Sequence, residues 1–198
     1  MIIKNVKNYF DEKANNYQSN SIKFPWSLLR KKESLIITQM LGKIKNNEIL
    51  DVGAGAGYYS RVMIKKEAKK VYAVDISKLM LKNLKLKKIV KINKDAEKFK
   101  IKKKFYKIIC AGLLEFAFSA EKILINIRLH AYKNSKLVIL FPMNNFLGRI
   151  YQLYHLKNGI KIKLFNDSEI NMILKNSGWT VKKSKKKFFS NVILAKAL

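Results

Sequence analysis

The stretch Ile49-Leu50-Asp51-Val52-Gly53-Ala54-Gly55-Ala56-Gly57-Tyr58-Tyr59-Ser60 decides how this chain folds. An apolar, strand-like run ends in an acid, passes through alternate glycines and enters a helix-like segment. Glycine tolerates positive φ and carries no Cβ, so backbone at such a turn can come flush against a ligand. From residue 48 onward strand and helix patterns alternate, which predicts βαβ units and a parallel sheet. Strands are expected at Glu48–Val52, Lys70–Val74, Ile89–Asn93, Tyr106–Ala111 and Lys136–Phe141. Helices are expected at Tyr58–Lys66, Lys78–Leu84, Ala120–Ala131 and Asp167–Asn176. Two last apolar runs, Thr180–Lys183 and Phe188–Ala195, flank a Lys-rich turn and read as a closing antiparallel hairpin. The expected fold class is α/β: a doubly wound, Rossmann-like, seven-stranded mixed sheet, parallel except for that hairpin.

Upstream, residues 1–45 read as an N-terminal helical cap, broken at Pro25 and resumed with helical spacing from Leu28 to Leu41. Residues 46–198 read as one ligand-binding domain. Within it, Pro142–Asn166 is expected to be an irregular insertion, rich in Phe146, Tyr151, Tyr154 and His155. It follows the fifth strand, where an open parallel sheet holds its ligands, so it can cover a site.

The composition bounds the class. Apolar residues make up 48% of 198, enough for a continuous core and too many for wholesale disorder. No apolar run approaches the ~18 residues that span a bilayer, and the first residues lack the hydrophobic block of a signal peptide. A cytoplasmic protein is expected. The lone Cys110 excludes an internal disulfide and a cysteine-rich metal site. The formal charge is +29, yet only four of the 42 basic residues are Arg. Specific phosphate and base recognition favours the Arg fork, and that signal is missing. The abundance of Lys, Asn and Ile is what an AT-rich genome produces, although only 13 acidic residues balance them. Such a field attracts polyanions or anionic membrane surfaces nonspecifically.

Three acids fall at successive strand ends: Asp51, Asp75 and Asp95. Parallel strands align their carboxyl ends, so all three are expected to face one crevice. A carboxylate at Asp75 can accept both hydroxyl protons of a ribose, and one at Asp95 can accept from an adenine amino group. The dinucleotide fingerprint G-x-G-x-x-G fails here, because Tyr58 or Ser60 stands where its third glycine belongs. The P-loop fails too, since no Gly-Lys-Ser/Thr follows the glycines. What stands is D-x-G-x-G-x-G, from Asp51 to Gly57.

Taken together the chain resembles the class I S-adenosylmethionine-dependent methyltransferases. Ile49 to Gly57 is similar to that family's first motif. Val74-Asp75-Ile76-Ser77 with Met80-Leu81 is similar to the second, and Asp95-Ala96-Glu97 to the third. Phe105 to Cys110, leading to Leu113-Leu114-Glu115, resembles the fourth strand and its turn. The resemblance implies S-adenosyl-L-methionine as cofactor. By it, Asp51, Gly53, Ala54 and Gly55 belong to the cofactor turn, and Asp75 with Ile76 to the ribose. Met80 would pack on adenine, and Asp95 and Ala96 would meet its edge. Cys110, within a strand, is expected to be a small core residue near the cofactor and is counted among the cofactor contacts. Tyr9-Phe10-Asp11, Ala14 and Tyr17 resemble the N-terminal helix of small-molecule members, which lies over the methionine end. Many relatives carry His directly after the acid matching Glu115; this chain has Phe116, so no role of that His carries over.

The implied reaction is in-line transfer of a methyl group, for which alignment of the reactants can supply ~7–11 kcal/mol. Tyr9, Phe10, Tyr17, Tyr151 and Tyr154 are candidate walls of a dry site. His155 is the candidate catalytic base, with a polar surface role as its alternative. His130 is expected to meet a helix dipole. No metal is expected. The expected acceptor is a small molecule, apolar or aromatic, as for the quinone- and tetrapyrrole-modifying members. An RNA or protein acceptor is the alternative that the charge suggests, and a non-catalytic subunit of the same fold is a third. Against RNA, the turn Ala111-Gly112-Leu113-Leu114-Glu115 lacks the Pro-Pro-Tyr-like sequence of amino-directed nucleic-acid enzymes.

Overall fold

The strand at Glu48–Val52 (β1) is buried from Ile49 onward on both its faces, and the rest of the molecule is built around it. The computed structural model describes residues 6–14 and 26–198. Tyr17 and Pro25, singled out above, lie outside the described residues.

A helix over residues 6–14 (α1) and one at Trp26–Leu41 (α2) precede β1. Then follow α3 (Tyr58–Lys65), β2 (Lys70–Asp75), α4 (Lys78–Lys82), β3 (Ile89–Asn93) and β4 (Phe105–Ala111). A 3-10 turn at Leu114–Phe116 leads to α5 (Ala120–Leu129), β5 (Ala131–Pro142), α6 (Phe146–Lys157), α7 (Asp167–Asn176), β6 (Trp179–Lys187) and β7 (Ser190–Ala197). The sheet has seven strands in the order β3-β2-β1-β4-β5-β7-β6. β3 through β5 run parallel, and β7 lies antiparallel to both β5 and β6. The expected fold class holds.

Strand alternation splits the core into two layers. Leu50 and Val52 of β1, with Ile108 and Cys110 of β4, pack beneath α5 and α7. Ile49 and Ile109 pack on the opposite face, beneath α2 and α3. Because β1 is covered on both sides, a parallel central strand reads as a continuous apolar run. The helices are started by short polar caps: Ser77 Oγ accepts from Met80 N, Ser119 Oγ from Lys122 N, and Asn166 Oδ1 from Glu169 N.

Three expectations need correcting. The Lys-rich stretch of the closing hairpin is strand, since β6 runs to Lys187 and the chain turns at Phe188 and Phe189. β5 begins at Ala131, five residues before the expected Lys136, because its exposed Tyr132, Lys133 and Asn134 hide the strand pattern. The segment Pro142–Asn166 is not irregular: it contains the 12-residue α6. Asn145 Oδ1 caps that helix by accepting from Gly148 N at 2.8 Å. α6 was illegible because its apolar residues do not segregate: Tyr151 lies on the same side as the buried Gly148 and His155, and Arg149 and Lys157 interrupt the outward apolar residues, so no polar side stands out.

Candidate active site

At the carboxyl ends of β1, β2 and β4 lies a cavity of about 740 Å³. Its floor is the turn after β1. Gly53 N and Ala54 N both donate to Val74 O, at 2.9 and 3.0 Å, which ties the turn to the end of β2. Gly53, Gly55 and Gly57 all have positive φ, at 73°, 53° and 83°. Their reasons differ. A Cβ on Gly53 would meet Leu113 Cβ at 2.8 Å, and one on Gly57 would meet Leu84 Cδ1 at 1.8 Å. A Cβ on Gly55 would meet nothing within 4 Å. Gly53 and Gly57 therefore serve packing, and Gly55 presents bare backbone to open cavity.

Asp75 ends β2 at the rim of this floor. One carboxylate oxygen accepts from Gly55 N at 2.7 Å, the other from Ser77 N at 2.9 Å. Burial raises its pKa, against the pull of those amides, and the nearby Asp11 carboxylate adds to the rise. Asn93 Nδ2 donates to the carbonyls of Asp75 and Ile76, so β3 fixes where that acid sits. Ile76, Met80, Asp95 and Ala96 continue the same wall. Asp95 Oδ1 accepts from Glu97 N at 2.9 Å, which folds its turn toward the cavity.

Nine of the expected site residues thus line one cavity: Gly53, Ala54, Gly55, Asp75, Ile76, Met80, Asp95, Ala96 and His155. Two do not. Asp51 shares the face of Ile49, so it points under α3, where its carboxylate accepts from Ser60 Oγ at 2.6 Å. Complete burial lifts its pKa to about 6. Cys110 lies on the other face, in the core beneath α5, and burial pushes its thiol pKa up. Alternation explains both: the neighbouring Ala111 reaches the cavity and Cys110 cannot.

The opposite wall is aromatic. Tyr9 and Phe10 of α1 and Tyr151 and Tyr154 of α6 line the cavity. His155 is buried among them, with Nδ1 3.2 Å from Tyr9 Oη and its ring 5.1 Å from that of Phe116. Burial, aided by Lys13, lowers its pKa to about 4, so the imidazole is neutral at physiological pH. His130, by contrast, is structural: Nδ1 donates to Asn126 O at 2.8 Å and Nε2 accepts from Ile101 N.

Sequence reasoning missed an acidic pair deeper in the cavity. Glu33 of α2 accepts from Ser190 Oγ at 2.6 Å and from Tyr59 Oη at 3.0 Å. Glu115, on the turn after β4, lines the cavity fully buried, and its Oε2 has no hydrogen-bond partner among the described residues. Burial lifts Glu115 to about 8, and the negative Glu33 adds to the rise. Such a group is a donor when protonated and a strong base once ionised. The pair joins residues 82 positions apart, and only the fold brings them together.

A turn that offers open backbone beside an acid able to take ribose hydroxyls fits a nucleoside cofactor. Among the described residues no cluster of three His, Cys, Asp or Glu side chains could hold a metal.

Comparison with known proteins bears on the family and the fold. The family model described as DREV methyltransferase matches residues 7–188. No curated protein matches the chain. Among solved structures, magnesium protoporphyrin IX methyltransferase from Synechocystis PCC 6803, with bound SAH, is similar at 16% identity. That match covers 98% of this chain and 99% of the other, with a TM-score of 0.77. The N-methyltransferase NodS from Bradyrhizobium japonicum WM9, in complex with S-adenosyl-L-homocysteine, is similar at 12% identity over 96% and 97% of the two chains, TM-score 0.74. An S-adenosylmethionine-dependent methyltransferase from Mesorhizobium loti is similar at 12% identity over 82% and 96%, TM-score 0.71. At such identities these likenesses speak for the fold.

Proposed function

The chain belongs to the DREV methyltransferase family, and from that premise we propose that it methylates a small-molecule acceptor, apolar or aromatic, seated between α1 and α6. It is an S-adenosylmethionine-dependent enzyme. The observation that supports a small acceptor is the size and aromatic lining of the cavity. A cavity of about 740 Å³ must hold both cofactor and acceptor, and its far wall is four aromatic side chains from α1 and α6. Pockets of this size take small ligands.

When bound, S-adenosylmethionine supplies a methyl carbon activated by its sulfonium. The residues of the chain do the rest. Gly53 to Gly55 and Asp75 hold the nucleoside end, and Met80, Asp95 and Ala96 flank the base. Tyr9, Phe10 and Tyr151 shield the site from water, so it disfavours the solvated sulfonium charge that is consumed on transfer. When the acceptor is a hydroxyl or an amine, its proton must leave as the new bond forms, and Glu115 Oε2 takes it. A base works best when its pKa lies near the working pH. Glu115 meets that condition, whereas His155 does not. His155, the candidate base in the sequence, instead shares a hydrogen bond with Tyr9 Oη and orients that ring.

A transfer assay tests the reading. Methyl-labelled S-adenosylmethionine is incubated with the enzyme and cell extract, and the label is partitioned into small-molecule and acid-precipitable fractions. Label in the small-molecule fraction is expected. Label confined to precipitable RNA or protein overturns it.

A further inference from the structure

α6 presents two unlike sides. Gly148 and His155 face inward, but Phe146, Leu147, Ile150, Leu153, Tyr154 and Leu156 are all exposed, Phe146 to 77% and Leu153 to 57%. At 100° per residue these six occupy one continuous outer arc of the helix. The only charges among them are Arg149 and Lys157, both basic. Monomeric proteins rarely leave so contiguous an apolar face to water.

The face extends beyond the helix. Phe188, at the turn between β6 and β7, is exposed to 55%, and its carbonyl accepts from Asn145 Nδ2 at the start of α6. Lys32 and Lys187 stand over its ring at 5.3 and 5.4 Å. The chain carries no acidic residue between Glu121 and Asp167, and none after Glu169. The β6 strand alone contributes Lys182, Lys183, Lys185, Lys186 and Lys187. The apolar arc is therefore set in basic surroundings, and Tyr154 belongs both to the arc and to the cavity lining.

We propose that the outer face of α6, together with Phe188, docks on an anionic lipid bilayer, the apolar side chains lying at the acyl boundary and the lysines at the headgroups. A helix with a strongly apolar face and basic flanks binds an interface in this way, through buried apolar area and attraction to anionic lipid. A second copy of the chain would have to bring the same cationic surface against itself, which the charge opposes. Docking in this orientation turns the cavity mouth at Tyr154 toward the bilayer. The proposal concerns binding, and stands whether or not the acceptor assignment above is right.

Co-sedimentation of the whole chain with vesicles tests it, in about 0.15 M salt so that long-range attraction is screened. The protein should pellet with mixed phosphatidylcholine–phosphatidylglycerol vesicles and not with phosphatidylcholine alone. The double substitution I150E/L153E, at exposed positions outside the cavity, should lower the bound fraction at least roughly tenfold. Leu153→Trp should keep binding, and its emission, after subtraction of the wild-type signal from the two native tryptophans, should shift to the blue when anionic vesicles are added. Wild-type-like pelleting of I150E/L153E would mean adhesion by charge alone and would overturn the proposal. So would an unshifted Leu153→Trp emission. A lipid-free dimer that I150E/L153E converts to monomer would give the face to a second copy and overturn it too.

Discussion

Glu115 combines complete burial, an unsatisfied oxygen and a place in the cavity wall. Its pKa of about 8 lies far above that of an exposed glutamate, so between about pH 4.5 and 8 the folded chain holds a proton that the unfolded chain has released. Stability from this group is whole below that window and falls as pH rises through it, by roughly 5 kcal/mol at most. Denaturant unfolding of Glu115→Gln should show a shallower loss between pH 5 and pH 8 than the wild type. The same variant probes catalysis. If Glu115 takes the acceptor proton, kcat/KM of the wild type climbs toward pH 8, and Glu115→Gln removes that climb with a loss of roughly 10²–10⁴-fold. A profile already flat above pH 6 would instead suit His155. Asp75→Ala should weaken S-adenosylmethionine binding by about tenfold or more in calorimetry, because a charged hydrogen bond contributes ~1.5–3 kcal/mol; unchanged affinity would remove the ribose assignment. At this scale the sequence was partly legible. Asp75, Asp95 and the glycines declare themselves by standing at strand ends. Asp51 and Cys110 mislead, because a strand-end position does not say which face a side chain takes, and one residue's displacement along the strand reverses it.

Among the elements, the turn into α3 and the start of α6 both hang on glycines, for different reasons. Gly57→Ala forces a Cβ into Leu84 at a φ of 83° and should lower stability by roughly 2–4 kcal/mol, read as a fall in the unfolding midpoint. Gly55→Ala meets no neighbour, so its stability loss should be about 1 kcal/mol, and its main effect should be lost cofactor affinity. Finding the two variants alike in calorimetry and in melting would remove the distinction between packing and cradle. Gly148 sits where a Cβ would be 1.9 Å from Met143 O, so Gly148→Ala should free the N-terminal turn of α6 and speed its amide exchange. These geometries explain what the sequence concealed. A period-3.6 pattern announces a helix when apolar and polar residues separate to opposite sides, and α6, with Tyr151 and His155 inward and Arg149 and Lys157 among its outward apolar residues, lacks that separation.

For the molecule as a whole, the mixed seven-stranded class followed from alternating patterns and one terminal hairpin, whereas the order β3-β2-β1-β4-β5-β7-β6, with β7 between β5 and β6, is read only from the structure. The meeting of Glu33 with Glu115, or of Tyr9 with His155, was not visible, since it depends on helices from both ends of the chain converging over one crevice. Charge is likewise a whole-molecule property: its total is read from composition, but its gathering around an apolar helix is not. The same strand order also governs how the protein comes into being. β7, translated after every strand it touches, wedges between β5 and β6, so a nascent chain on the ribosome keeps the β5 edge bare until β7 emerges. Completion of the sheet waits for its last strand, and in that interval the exposed edge is open to mispairing and chaperone capture.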